Sequence, residues 1–150
     1  MYKRIAVAID GSKTADAALN EAIKLAGEMK STLLLLHVCE ELPMMIAPDD
    51  MMSVQIPEIM KVIEDAAKDL LKKSLARVAG LGIAAETKLV ESAGGRMGGI
   101  ISDEAQKWNA DLLVVGTHGR KGFEHLMMGS VAEGVIRTAT MPVLLIRGKN

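Results

Sequence analysis

Hydrophobic positions along the chain fall into two alternating kinds. Short apolar runs recur at residues 3–9 (KRIAVAI), 32–38, 84–90, 111–115 and 143–146, with longer stretches of helical spacing between them. Residues 13–30 line up Ala17, Ala18, Ala22, Leu25, Ala26 and Met29 on one stripe. Residues 55–79 do the same with Ile59, Val62, Ile63, Ala66, Leu70 and Leu71, and end at the helix stoppers Gly80 and Gly82. Two shorter helices are expected over 97–108 and 130–139. The run 32–38 is nearly continuous in Leu and Val, which suits a strand covered on both faces. Parallel neighbours need crossover connections, so five strands alternating with four helices predict an α/β fold: a doubly wound parallel sheet with helices on both faces. No linker, repeat or low-complexity tail interrupts the pattern, and residues 1–150 are expected to form one domain.

Composition narrows the class of protein. Of 150 residues 49% are apolar, which excludes a disordered chain, and the one cysteine, Cys39, excludes a disulfide scaffold. A lone thiol fits a reducing compartment, and a cytoplasmic location is expected. No apolar stretch is long enough for a membrane span, and no cleavable leader pattern is expected at the start. With 18 basic against 19 acidic side chains, the chain lacks the basic excess of a dedicated nucleic-acid binder.

Two connections are too long for simple turns: residues 39–54, with Pro43 and Pro48, and residues 117–129. Both follow the carboxyl end of a strand, the edge where open α/β sheets bind ligands. The second belongs to the segment 116–130, G-T-H-G-R-K-G-F-E-H-L-M-M-G-S. Gly116, Gly119, Gly122 and Gly129 permit close backbone approach, and Ser130 with Glu133 reads as a capping box for the next helix. Unsatisfied N–H groups and the positive end of a helix dipole at such a terminus suit a phosphate. The same pattern also describes an ordinary βα connection, and the Glu133 carboxylate would compete with a bound anion.

Gly116-x2-Gly119-x9-Gly129-Ser130 resembles the ATP-binding signature of the universal stress protein family. Residues 5–12 (IAVAIDGS), 110–119 (ADLLVVGTHG) and 141–146 (MPVLLI) are similar to the family's first, fourth and last strands, so the likeness spans essentially the whole chain. It implies a strand order of 3-2-1-4-5, a homodimer, and an ATP-binding stress-response role as a nucleotide-dependent switch or sensor; the apolar edge of the C-terminal strand at 143–146, blunted only by Pro142, itself invites antiparallel pairing of two copies. The positions it implies for nucleotide binding are Ile9, Asp10, Val38, Gly116, Thr117, His118, Gly119, Arg120, Gly129, Ser130 and Val131. Asp10 would lie near ribose and phosphates or towards a divalent metal, Mg²⁺ suiting one carboxylate beside phosphate oxygens. Val38 would wall the adenine. Asp10 can equally cap the first helix or bond the turn backbone, and Val38 can be plain core.

Other features weigh less. His118 and His125 can bond a phosphate or be bystanders, and Arg120 and Lys121 can neutralise charge or simply be solvated. The glycine-rich run 92–99 departs from the family pattern. It reads as a second anion-friendly turn with Arg96 nearby, or as a loose start to the third helix, weakened by about 1 kcal/mol per internal glycine. The methionines Met44, Met45, Met51, Met52 and Met60 suggest an adaptable surface or a hydrophobic cover. His37 and Cys39 lie close in sequence but offset along a strand, and no metal or nucleophilic site is expected there. Gly129 stands where a P-loop would place its lysine, and no GxGxxG follows the first strand. No catalytic set is therefore assigned. Two rivals remain: a slow ATP hydrolase or self-phosphorylating enzyme using His118, Glu124 or His125, and an interaction dimer that binds no nucleotide. A downstream protein partner is expected without being identifiable.

Overall fold

The structure, a computed structural model, describes residues 1–40, 56–118 and 128–148. Within them the chain runs β1 (Arg4–Ala8), α1 (Lys13–Met29), β2 (Thr32–Cys39), α2 (Ile56–Gly80), β3 (Ala85–Glu91), α3 (Met97–Lys107), β4 (Leu112–Gly116), α4 (Ser130–Thr138) and β5 (Val143–Ile146). The strands form one parallel sheet in the order β3-β2-β1-β4-β5.

Alternation along the strands divides the core in two. Ile5, Val7, Leu33, Leu35, Leu112 and Val114 pack on one face with Ala18, Ala22 and Ala26 of α1 and Leu71 and Val78 of α2. Ala6, Leu34, Leu36, Leu113 and Val115 pack on the other with Ile101 and Ala105 of α3 and Val135 of α4. Because β1, β2 and β4 are inside on both faces, their central residues are apolar without a polar alternate. The edge strand β3 has one covered face and correspondingly reads AETKLVE.

The buried stripe of α2 differs from the expected one. Ala67, Leu71, Ser74 and Val78 are buried, while Ile59 and Val62 are 44% and 68% exposed. The reason is length. At 25 residues α2 is about 37 Å long, against about 26 Å for the eight-residue β2 it crosses, and the excess falls at its amino end. Helical periodicity predicts a face but not how far the sheet extends beneath it.

At the amino edge of the sheet, Arg4 lies 3.9 Å over the Trp108 ring and donates from Nε to the Trp108 carbonyl. Asp111 accepts the Lys3 and Arg4 amides, so this end is tied down independently of the opposite edge. Near β3, Glu104 on α3 is almost buried yet charged. Lys107 and Lys88 approach its two oxygens at 2.8 and 2.7 Å and hold its carboxyl below the usual range, outweighing the opposing effect of burial. The Lys88 contact is an ion pair rather than a well-aligned hydrogen bond.

The glycine-rich run resolves into two features. Ala93 (φ +46°) and Gly94 (φ +77°) make a tight turn, closed by the Gly95 amide donating to the Ser92 carbonyl. Gly98 is a contact point: a Cβ there would stand 2.7 Å from the Gly134 Cα and the Val131 carbonyl. One turn on, Thr138 donates from Oγ1 to Ser102 Oγ at 2.9 Å, and the two short-sided helices lie against each other.

Candidate functional site at the strand carboxyl ends

The pairing registers bring the candidate residues together. Ala8 stands opposite Leu36, and Val7 opposite Val114. Continued past the strand ends, these registers set Val38, Asp10 and Thr117 side by side across β2, β1 and β4. By the two-residue alternation this row shares the face of Leu34, Leu36, Leu113 and Val115, the face that α4 covers. β1 turns towards α1 on one face and β4 towards α4 on the other, which makes the β1/β4 boundary the switch point of the sheet.

Each member is held locally. Asp10 accepts the Ser12 amide on Oδ1 at 2.8 Å, with Gly11 between them at φ +82°, a conformation that suits glycine. Ser12 in turn accepts the Ala15 amide and caps α1. The alternative that Asp10 bonds its own turn is therefore realised, and it orients the carboxylate; the cap itself is Ser12. Val38 is buried, 4% exposed. Gly116 closes on α1: a Cβ there would stand 2.8 Å from Thr14 Cγ2 and 3.1 Å from the Thr14 carbonyl carbon and oxygen.

The start of α4 departs from the sequence reading. The N-cap is Gly129, not Ser130, and no side chain caps the helix, so the expected Ser130–Glu133 capping box is absent. The Glu133 amide donates to the Gly129 carbonyl, an ordinary helical bond that puts Ser130 at the first helical position. Gly129 is extended there (φ −63°, ψ 156°), and its own amide donates to the Thr117 carbonyl at 2.8 Å. That bond ties α4 to the end of β4 and uses the Gly129 donor. The first-turn donors are then the amides of Ser130, Val131 and Ala132, which have no intrahelical partner. Beside them Thr117 Oγ1 and His118 Nδ1 share a hydrogen bond of 2.9 Å, and His118 Nε2 is buried without a partner among the described residues.

The donor set suits a nucleotide. It offers amides and a dipole for phosphate, a carboxylate for sugar hydroxyls, an apolar strand end for a base, and an unsatisfied imidazole nitrogen. Gly119, Arg120, Lys121, Glu124 and His125 lie outside the described residues, as do Met44, Met45, Met51 and Met52. No cluster of three or more metal-ligating side chains occurs among the described residues. On the opposite face a hollow of about 350 Å³ opens between α1 and α2, walled by Ile9, Ser12, Asp16, Leu70 and Ser74 among others. Of the candidate residues only Ile9 lines it. The strand-end row, not the hollow, therefore gathers the candidates.

The universal stress protein family model matches residues 1–147. The chain belongs to that family. A universal stress protein of Methanocaldococcus jannaschii is 32% identical over 98% of this chain and 83% of its own length. The structure of universal stress protein UspA from Lactobacillus plantarum superposes with a TM-score of 0.81 at 25% identity, covering 97% of this chain and 98% of that one. A universal stress protein from Archaeoglobus fulgidus, solved in complex with dAMP, superposes at 0.65 and 25% identity over 97% and 98% of the two chains. The strand order agrees with the one the family resemblance implied. No described helix is long and apolar enough to cross a membrane.

Two contributors escape sequence reasoning. Thr14 meets Gly116 only because α1 folds back over β4. His37, set aside as unremarkable, is buried at 8% exposure with Nδ1 2.7 Å from the Ile9 carbonyl.

Proposed function

We propose that residues 1–150 form one nucleotide-binding domain, which takes ATP at the strand-end row and acts in the cytoplasm as a nucleotide-dependent switch or sensor. The observation that carries this reading is the placement of Val38, Asp10 and Thr117 on the face where α4 presents the Ser130, Val131 and Ala132 amides. In this reading the phosphates lie against that helix start and Gly129, Asp10 faces the ribose, and Val38 walls the adenine. The dAMP complex of the Archaeoglobus fulgidus relative supports an adenine nucleotide as the ligand class. Where a Mg²⁺ accompanies the phosphates, Asp10 would instead offer it one carboxylate.

Calorimetry with MgATP tests this. Wild type should bind, and Asp10→Asn should weaken binding about tenfold or more, because a charge-assisted hydrogen bond contributes about 1.5–3 kcal/mol. Asparagine keeps an oxygen to accept the Ser12 amide, so the loss reads the charge rather than the turn. One Trp and one Tyr make the chain weakly absorbing at 280 nm, so nucleotide carried through purification will dominate the spectrum. A protein-like spectrum together with no binding heat would refute the assignment.

The same reading includes a homodimer. β5 is an edge strand whose residues are all half-buried, and antiparallel pairing across a twofold would satisfy both edges. Light scattering at micromolar concentration should give twice the chain mass; a monomer mass overturns the dimer and leaves the nucleotide site standing.

A further inference from the structure

We propose that His37 is the positioning residue of the site: its imidazole fixes the peptide that presents Asp10 and locks it to the strand that carries Val38. The functional part of this role rests on the nucleotide reading above.

A buried imidazole needs a partner, and this one reaches across 28 residues of sequence to the Ile9 carbonyl at 2.7 Å. A carbonyl only accepts, so Nδ1 carries the proton. β1 ends at Ala8, yet both the amide and the carbonyl of Ile9 are still held by consecutive residues of β2. Its amide donates to the Leu36 carbonyl at 2.9 Å, and its carbonyl accepts from His37. The next residue is Asp10, whose carboxylate orientation depends on the Ser12 amide and on Gly11 in the left-handed region. The turn is thus anchored by this pair of bonds at its β1 end and by the Ser12 cap at its α1 end. His37 also immediately precedes Val38, so its bond reinforces, next to the base wall, the register that sets Val38 beside Asp10.

Two variants of the whole chain test the role. His37→Phe fills the space without a donor, whereas His37→Asn places an amide nitrogen close to where Nδ1 stood. In His37→Phe, amide exchange at Ile9 and Ser12 should rise about tenfold over that at core β4 amides, and MgATP affinity should fall about tenfold, the scale of one lost hydrogen bond. His37→Asn should restore both to within about threefold of wild type. If the Phe variant does not fold, His37→Gln replaces it, because its amide lies nearer the Nε2 place and loses the Ile9 bond. Exchange in the turn equal to wild type, or an Asn variant no better than Phe at the same melting temperature, would overturn the role. If wild type binds no MgATP, the nucleotide reading and the affinity arm fall together, and the exchange comparison alone decides whether His37 holds the turn.

Discussion

Replacing Gly98 with alanine should lower the melting temperature by about 5 °C, while the same change at Gly99 should raise it by about 2 °C. Both residues are in α3, and both gain the roughly 1 kcal/mol by which alanine exceeds glycine as a helix former. What separates them is the space around the new methyl group. At Gly99 nothing lies within 4 Å, so the propensity gain stands. At Gly98 the methyl meets the Gly134 Cα and the Val131 carbonyl at 2.7 Å, and both are backbone. No rotamer change relieves that contact; the helices must separate by most of an ångström. Overpacking of this kind costs about 1–3 kcal/mol, and with backbone as the obstacle the upper part of that range applies, which exceeds the propensity gain. Separation also strains the Ser102–Thr138 bond and opens the layer around Ile101, Ala105 and Val135. Thermal melts followed at Trp108, which sits at the amino edge away from the site, check both signs. A Gly98→Ala melt at or above wild type would show that close approach is not what this glycine provides.

That contrast marks where sequence reasoning stops. The strands were legible because burial on both faces forces Ile, Val, Leu and Ala into unbroken runs, as in 33–36 and 112–115. The helices were legible because α1 must keep a small apolar stripe against the sheet. The candidate row was legible because Asp10 follows β1 and Gly116 ends β4, and the parallel order brings those carboxyl ends together. Partners distant in sequence were not legible. Gly98 looks like a weak helix start until Gly134 is placed against it, and His37 looks like a core oddity until Ile9 is beside it. The capping box failed for a local reason: Ser130 and Glu133 have the right spacing, but Thr117 holds the Gly129 amide and makes Gly129 the cap. The exposed amino end of α2 failed for a global one, since amphipathic spacing at Ile59 and Val62 continues past the edge of the sheet. Met60, from the methionine-rich segment, is 46% exposed on that same overhang.

The variant expected to damage the site most while sparing the sheet is Gly116→Ala. Gly116 is the last residue of β4, and its register partner Ile146 is the last of β5, so an added methyl does not interrupt the ladder. It enters the gap to α1 instead, 2.8 Å from Thr14 Cγ2 and 3.1 Å from the Thr14 carbonyl group. The methyl of Thr14 can turn aside, but its backbone must yield by a few tenths of an ångström. That shift moves the first turn of α1 together with its cap Ser12, and through the Ser12 amide it moves the Asp10 carboxylate. The stability cost should be modest, about 1–2 kcal/mol, because only one contact is overfilled. The loss of nucleotide affinity should be larger, tenfold to a hundredfold, since a misplacement well under an ångström is enough to weaken preorganised charge-assisted contacts. Thr14→Ser removes the nearer obstacle. Added to Gly116→Ala it should recover about half of the lost binding free energy, although alone it does little. Calorimetry on the four proteins of this cycle isolates the coupling. Additive effects would mean that Gly116 acts directly on the ligand rather than through α1. Unchanged affinity in the single variant would remove the β4 end from the site altogether.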